Sequence, residues 1–301
     1  MRPAECPQYP RCPQQRRGPL ATRARGLILG AVVSLAVSVA NAAPSGAQVT
    51  ARSTAHEAGD MFEDLGYIWA SPFRADRRDW AVAAGTAGAF ALLLPVDPHI
   101  DRWIVDHPRA AILEALAPFR ENGPLVRLAT ARRLVPISIG LIVAGAVTDR
   151  RGLREAGYGC IAGWGLSNTL RYAIYAGVAR DRPSVSNGNQ YGFRIPGGKW
   201  DQHAFPAGHA MNAFTCASFW SARFDLGAGE PVLYTVATMA SLARMADRRH
   251  WTSDTFVGAV VGVAVGRTIA ASYGRRDAKR IAGAPLNTQR APVVILWQTA
   301  F

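Results

Sequence analysis

Residues 203–214 read HAFPAGHAMNAF and residues 243–256 read ARMADRRHWTSDTF, and the reading of these two segments decides the fold. Between them lie two apolar runs joined by the turn DLGAGEP at 225–231. Apolar runs of this length bounded by turn residues predict helices over 209–222 and 231–246, with a third over 254–272. Ahead of them the apolar run 156–179 ends in ARDRPS, where Pro183 is expected to stop a helix. Arg182, His209, Arg244 and His250 thus fall at helix ends rather than on helix faces. Antiparallel packing of consecutive helices gathers those ends at one end of a bundle.

Upstream the same character repeats. The runs WAVAAGTAGAFALLLPV at 80–96 and VPISIGLIVAGAV at 135–147 carry no charge, and between them WIVDHPRAAILEALAPF has apolar residues at helical spacing among Asp106, His107, Arg109 and Glu114. In the run 156–179 the residues Gly157, Gly159, Ala162, Gly163 and Gly165 form a small-residue surface suited to close helix packing. His99 and His107 read as surface or capping histidines, and 184–204 as loop. These runs make an all-α bundle of about six core helices, a single domain over 80–273. Residues 43–79 form an extension in which MFEDLGYIWASPFRADRRDW is expected to be an interfacial or packing helix. The tail 274–301 opens with the basic RRDAKR and closes on APVVILWQTAF, which is strand-like.

Residues 1–42 have the parts of a secretory signal: six arginines within the first 26 residues, the apolar run LILGAVVSLAVSVA, and small residues at Ala40-Asn41-Ala42. An uncleaved anchor is the alternative. The net charge of +13 falls to +8 once the leader's six arginines and Glu5 are removed, and that remainder points to an anionic substrate or membrane surface. Nucleic acid is set aside, because no zinc-finger, helix-turn-helix or aromatic RNA-binding pattern occurs. Only Lys199 and Lys279 are lysines, so arginine is expected where another protein would use lysine. Cys160 and Cys216 lie in apolar runs without metal-ligand spacing and are expected to be buried free thiols.

The residues at the gathered helix ends suit chemistry on an anion. Pro206-Ala207-Gly208-His209 reads as a helix N-terminus, whose free N–H groups attract phosphate, with Gly208 allowing close backbone approach. Arg182 and Arg244 offer planar, permanently charged forks for phosphate oxygens. His250 stands four residues before Asp254, so the carboxylate is expected to hold one imidazole nitrogen protonated and aim the other as a nucleophile. His209 is left as the acid for the departing alkoxide.

Arg182-Pro183, Pro206-Ala207-Gly208-His209, and Arg244 followed by His250 and Asp254 resemble the three signature motifs of the type 2 phosphatidic acid phosphatase (PAP2) superfamily, which also includes bacterial class A acid phosphatases and vanadium haloperoxidases. The resemblance covers roughly residues 80–272. It implies a phosphatase without metal or other cofactor, in which His250 forms a phosphohistidine, Asp254 orients it, His209 protonates the leaving group, Arg182 and Arg244 hold the phosphoryl oxygens, and the backbone around Gly208 completes the cradle. Two positions depart from the pattern. The lysine expected seven residues before Arg182 is Tyr175; Arg171, one helical turn earlier, is the candidate replacement, with Arg180 or Lys199 as alternatives. The usual serine is Ala207, which removes one hydroxyl donor. His203 reads as a loop-surface histidine.

The implied activity is that of an exported phosphomonoesterase or diphosphatase acting on a phosphorylated lipid. A soluble broad-specificity acid phosphatase, a vanadate-dependent haloperoxidase and a non-enzymatic membrane protein are the alternatives. The apolar cores are mostly shorter than the roughly 20 residues of a spanning helix. If the runs 80–96, 134–148 and 156–179 each crossed after signal cleavage, the motif loop would lie in the cytoplasm, whereas the basic turns FRADRRD, TDRRGLRE and GRRDAKR favour an active site facing out. An extracytoplasmic site is the expectation, with the mode of membrane attachment and the oligomeric state open.

Overall fold

The computed structural model describes residues 68–121, 123, 125, 130–194 and 203–282. The leader, most of the extension, Lys199 and the strand-like tail lie outside them. Eight α-helices are described: α1 (Arg77–Leu93), α2 (Asp97–Asp106), α3 (Ala111–Ala115), α4 (Ala131–Val147), α5 (Arg151–Gly177), α6 (Gly208–Arg223), α7 (Gly229–Ala246) and α8 (Thr252–Ala282). Two short strands, β1 (Ala179–Arg180) and β2 (Phe193–Arg194), pair antiparallel.

Local chemistry sets the boundaries. Asp76 and Asp79 form a reciprocal capping box, each side chain accepting the other's backbone N–H, which starts α1 at Arg77. The stretch MFEDLGYIWASPFRADRRDW resolves, where described, into a short 3-10 turn at Ser71–Arg74 and the start of α1, with Trp69, Phe73 and Trp80 exposed. The amphipathic stretch after Trp103 is two helices rather than one, broken between Asp106 and Ala111, where Pro108 removes a donor. Helix α5 stops at Gly177, six residues ahead of Pro183, because Val178 turns extended and Ala179–Arg180 satisfy their backbone groups against Phe193–Arg194 instead. Asp181 then bridges His203, so the segment 184–204 is held at both ends rather than being free loop.

The closest helix packing is α8 against α6. Gly258, Gly262 and Gly266 recur one turn apart on α8, and a methyl on Gly258 or Gly262 would come within 2.7 Å or 2.5 Å of the carbonyl oxygens of Ala207 and Met211. At Gly266 it would strike Ser218 and Thr215 of α6. On α5, Gly159 and Gly163 accept Phe219 and Thr215 in the same way. Small residues thus let three backbones meet around Phe219, Ile269 and Leu166. A second cluster seats Leu113, Leu116 and Phe119 on Ala240, Ala243 and Ala246 of α7.

Cys160 of α5 and Cys216 of α6 form a disulfide, with Cα atoms 5.0 Å apart. The expectation of two free thiols is therefore corrected: burial in apolar runs described both residues, but only the α5–α6 packing brings their Cβ atoms into bonding range. At the end of the bundle away from the motif residues, Arg223 binds Glu155 and Asp277, each at 2.7 Å, while Arg151 reaches Glu155 at 2.6 Å and Asp277 at 2.7 Å, tying α5, α6 and α8 together.

Among the described residues, α8 is long and apolar enough over Thr252–Ala278 to cross a membrane, and α1 with α2 would pass together but for a 49° bend between them. Leu92 on α1 and Ile137, Ile139, Val143 and Val147 on α4 are apolar and exposed.

Candidate active site

The site is built on a buried charge cluster. The Arg180 side chain is fully buried, and all its donors are used: Nη2 to Asp97 at 2.8 Å, Nη1 to Ser253 at 2.8 Å and Asp254 at 2.5 Å, and Nε and Nη2 to the Gln190 carbonyl at 3.0 and 2.8 Å. The Phe193 and Trp251 rings lie 5.1 and 5.3 Å from its guanidinium carbon. Asp97, at the start of α2, also accepts from the Ser253 N–H at 3.0 Å. This satisfied cluster locks the α2 start, β1 and the first turn of α8 together. Arg180 has no donor left to replace the missing lysine.

His250 is buried, and its Nδ1 lies 2.7 Å from the Ala204 carbonyl oxygen. A carbonyl only accepts, so Nδ1 carries the proton and Nε2 is the nitrogen with the free lone pair. The expected Asp254–His250 pairing is not what holds the ring. Asp254 occupies the third position of α8, where its carboxylate accepts the Trp251 N–H at 2.9 Å and balances the buried Arg180 charge. Its backbone carbonyl takes the Ala207 N–H at 3.2 Å, joining the third motif to the second. Burial, and then the field of His209, holds the His250 pKa well below its usual value.

His209 stands in the first turn of α6, partly exposed. Burial first, then the charges of Arg244, Arg171 and Arg182, push its pKa down to about 3, so the imidazole is neutral near pH 7. Arg244 is 9% exposed, donates through Nη1 to Asp247 at 3.1 Å, and keeps its Nε–H buried without a partner among the described residues. Arg182 donates to the His203 carbonyl at 3.3 Å.

Arg171 reaches the site across Gly208: any Cβ there would collide with its guanidinium, so glycine at this position is what lets the arginine pass. Its guanidinium carbon lies 4.7 Å from the Tyr172 ring and 5.7 Å from the Tyr175 ring. Tyr175, at the family's lysine position, is buried and donates to the Pro206 carbonyl at 3.4 Å. Ala207 is the N-cap of α6, with extended backbone and no side-chain cap. His203 is buried, its ring edge-on to Tyr175 with centroids 5.1 Å apart, which corrects the reading of a surface histidine. His99 and His107 bond the carbonyls of Pro95 and Trp103 one turn back and lie exposed.

Arg171, Arg182, His209, Arg244 and His250 thus meet at one end of the bundle. Sequence reasoning did not single out Asp97 or the Ala204 carbonyl, and saw Arg180 only as a lysine substitute. Asp97 carried only the signal of a residue where an apolar run stops, and a backbone carbonyl leaves no side-chain signal. Among the described residues no cluster of three or more His, Cys, Asp or Glu side chains could hold a metal ion.

Comparison with known proteins places these motifs. A lipid A 1-phosphatase of Porphyromonas gingivalis is 32% identical over 123 residues, 38% of this chain and 26% of that protein, so the match spans about a quarter of the relative's length. Among solved structures, the transmembrane PAP2 type phosphatidylglycerolphosphate phosphatase from Bacillus subtilis aligns over 64% of this chain and 96% of its own, at 16% identity and a TM-score of 0.46. Aquifex aeolicus LpxE aligns over 58% of this chain and 94% of its own, at 19% identity and a TM-score of 0.44. The PAP2 superfamily model matches residues 159–278, a span that begins later than the resemblance did and holds all three motifs. Over that span, from within α5 into α8, the chain is similar to the PAP2 superfamily.

Proposed function

We propose that this protein is an exported PAP2-type phosphatase that hydrolyses a phosphomonoester or diphosphate of a lipid through a phosphohistidine. The observation that carries the reading is the His250 tautomer: with Nδ1–H given to Ala204, Nε2 is the free nucleophile of an imidazole whose neighbour, His209, lies in the field of three arginines.

The chemistry follows from those positions. Arg171, Arg182 and Arg244 bind the phosphoryl oxygens, and the N–H groups at the start of α6 add to the cradle. The His250 Nε2 lone pair forms the N–P bond as the P–O bond to the leaving alcohol breaks. His209 gives that oxygen its proton, and then takes one from the water that cleaves the N–P bond. With its pKa pushed down to about 3, His209 is neutral near pH 7. Burial depresses it first and the arginine field second; a bound phosphate dianion offsets the second and draws the ring toward protonation. Ala204 orients His250, while Asp254 acts one step back, by holding Arg180 and the turn at Trp251.

A lipid substrate is supported by the lipid A 1-phosphatase relative and by the exposed apolar residues of α1 and α4. Export is supported by the Cys160–Cys216 disulfide, a bond that persists in oxidising compartments. The test is hydrolysis by the full chain of a phosphatidate, a prenyl diphosphate and p-nitrophenyl phosphate, with His250→Ala as control. Acid-labile phosphate on His250 and loss of turnover in the variant are expected. Equal hydrolysis by both would overturn the mechanism, preference for p-nitrophenyl phosphate would favour a soluble acid phosphatase, and halide oxidation only with vanadate would favour a haloperoxidase.

A further inference from the structure

Asp247 is the first residue past α7, three positions after Arg244, and nothing in the chemistry above uses it. Its side chain is 8% exposed and bonds groups from two separate segments of the chain. Oδ1 accepts from Arg120 Nε at 2.9 Å. Oδ2 accepts both the backbone N–H of Glu121 at 2.8 Å and Arg244 Nη1 at 3.1 Å. Arg120 also reaches the Ala246 carbonyl at 3.3 Å, and the Glu121 carboxylate grips Arg249 through Nε and Nη2 at 3.1 and 2.7 Å. The segment that supplies Arg120 and Glu121 is seated on α7 by Leu113, Leu116 and Phe119. It lies outside the span that matches the superfamily.

We propose that Asp247 is a positioning residue for the anion site: it holds the Arg244 guanidinium by Nη1, keeps the Nε–H edge for phosphoryl oxygens, and makes that grip depend on the docking of residues 117–121 against α7. The proposal rests on the reading of Arg244 as a phosphate ligand. An arginine on a helix end has several rotamers of similar energy, and a carboxylate that takes one fixed N–H removes most of them. Using Nη1 for the anchor leaves Nε and Nη2, the pair that matches two oxygens of a tetrahedral anion. The buried, unpartnered Nε–H is the group such a ligand would satisfy. Because Oδ2 is shared between Arg244 and the Glu121 N–H, displacement of the 117–121 segment changes the charge and aim of the acceptor that Arg244 sees.

A merely structural cap at Asp247 would weaken folding without acting through Arg244, and a double-mutant cycle separates the two roles. Tungstate serves as the tetrahedral-anion probe, with affinity measured by calorimetry on the full chain and folding checked by circular dichroism. Asp247→Ala is expected to weaken tungstate binding about tenfold in the wild-type background and less than twofold in an Arg244→Ala background. Arg120→Ala, which removes only the loop anchor, is expected to weaken it about threefold, with the same loss of effect when Arg244 is absent. Asp247→Asn keeps an acceptor and is expected to fall between wild type and Asp247→Ala. Equal weakening by Asp247→Ala in both backgrounds would overturn the proposal, as would a wild-type protein that binds no tungstate. A wild type that binds tungstate through the Arg244–Asp247 pair yet hydrolyses no phosphate ester would sink the phosphatase reading and leave this one standing.

Discussion

The His250 ring is aimed by a backbone atom: its Nδ1 lies 2.7 Å from the carbonyl oxygen of Ala204, three residues before Ala207 and five before His209. The segment that carries the acid thereby orients the nucleophile. Asp254 is released for a different task, pairing with Arg180 inside the bundle.

That division separates two substitutions which the motif alone would treat alike. His250→Ala is expected to abolish turnover while leaving the urea midpoint near wild type. Asp254→Ala leaves the buried Arg180 charge with one carboxylate partner fewer, and breaking a buried pair costs about 3–5 kcal/mol. Its urea midpoint is expected to fall accordingly, and equilibrium denaturation compared with turnover distinguishes the cases.

The low pKa of His209, about 3, sets a pH dependence whose sign can be worked out. Between that value and an unfolded pKa of about 6.5, the unfolded chain binds more protons than the folded one. The contribution of His209 to stability is therefore lost as pH falls from about 6.5 toward 3, with His250 acting in the same direction and Asp254, whose carboxyl is pushed up to about 7 by burial, opposing them. Anion binding offsets the arginine field, so tungstate is expected to bind with proton uptake and more tightly at lower pH. Calorimetry in buffers of different ionisation enthalpy measures the uptake, and His209→Gln is expected to reduce it.

Ala207→Ser should restore both a cap and a donor. The N-cap position of α6 has extended backbone and no side-chain acceptor, and a serine there contributes about 1 kcal/mol. A higher urea midpoint is expected, with turnover raised several-fold if the hydroxyl reaches the anion.

Gly208→Ala is expected to displace Arg171, since the added methyl would occupy the space of its guanidinium. The arginine is flexible, so the fold survives while anion affinity drops. Tungstate affinity of Gly208→Ala falling to that of Arg171→Ala, with no further loss in the double variant, is the outcome that checks this.

The Cys160–Cys216 bond closes a sequence separation of 56 residues, and removing a bond of that kind costs roughly 2–4 kcal/mol. Double substitution by alanine is expected to lower the urea midpoint by a matching amount. Mass spectrometry of the oxidised protein, digested without reductant, should recover the two peptides joined.

The reach of the sequence followed from what kind of information each feature carries. Helix existence was legible from apolar runs and the breaks at DLGAGEP and ARDRPS, and motif spacing placed His209, Arg244 and His250 at helix ends, because both depend on neighbours a few residues apart. Arg171 was nominated because one helical turn preserves a face, and the structure lays it against Gly208. Features that join residues far apart in the chain were not legible. Arg180 bonds Asp97 and Asp254, at separations of 83 and 74 residues, and Asp247 reaches Arg120 at 127. Cys160 and Cys216 looked like two unrelated apolar positions until α5 and α6 packed.

By itself the sequence determined a helical bundle with its motif arginines and histidines at helix ends, since periodicity and turn chemistry act locally. Only the tertiary structure decided that Ala204 rather than Asp254 holds His250, that Asp254 belongs to Arg180, and that His203 is buried against Tyr175. A buried donor takes whichever acceptor the packed chain brings within about 3 Å, and a backbone carbonyl competes on equal terms with a carboxylate that a buried arginine has already claimed.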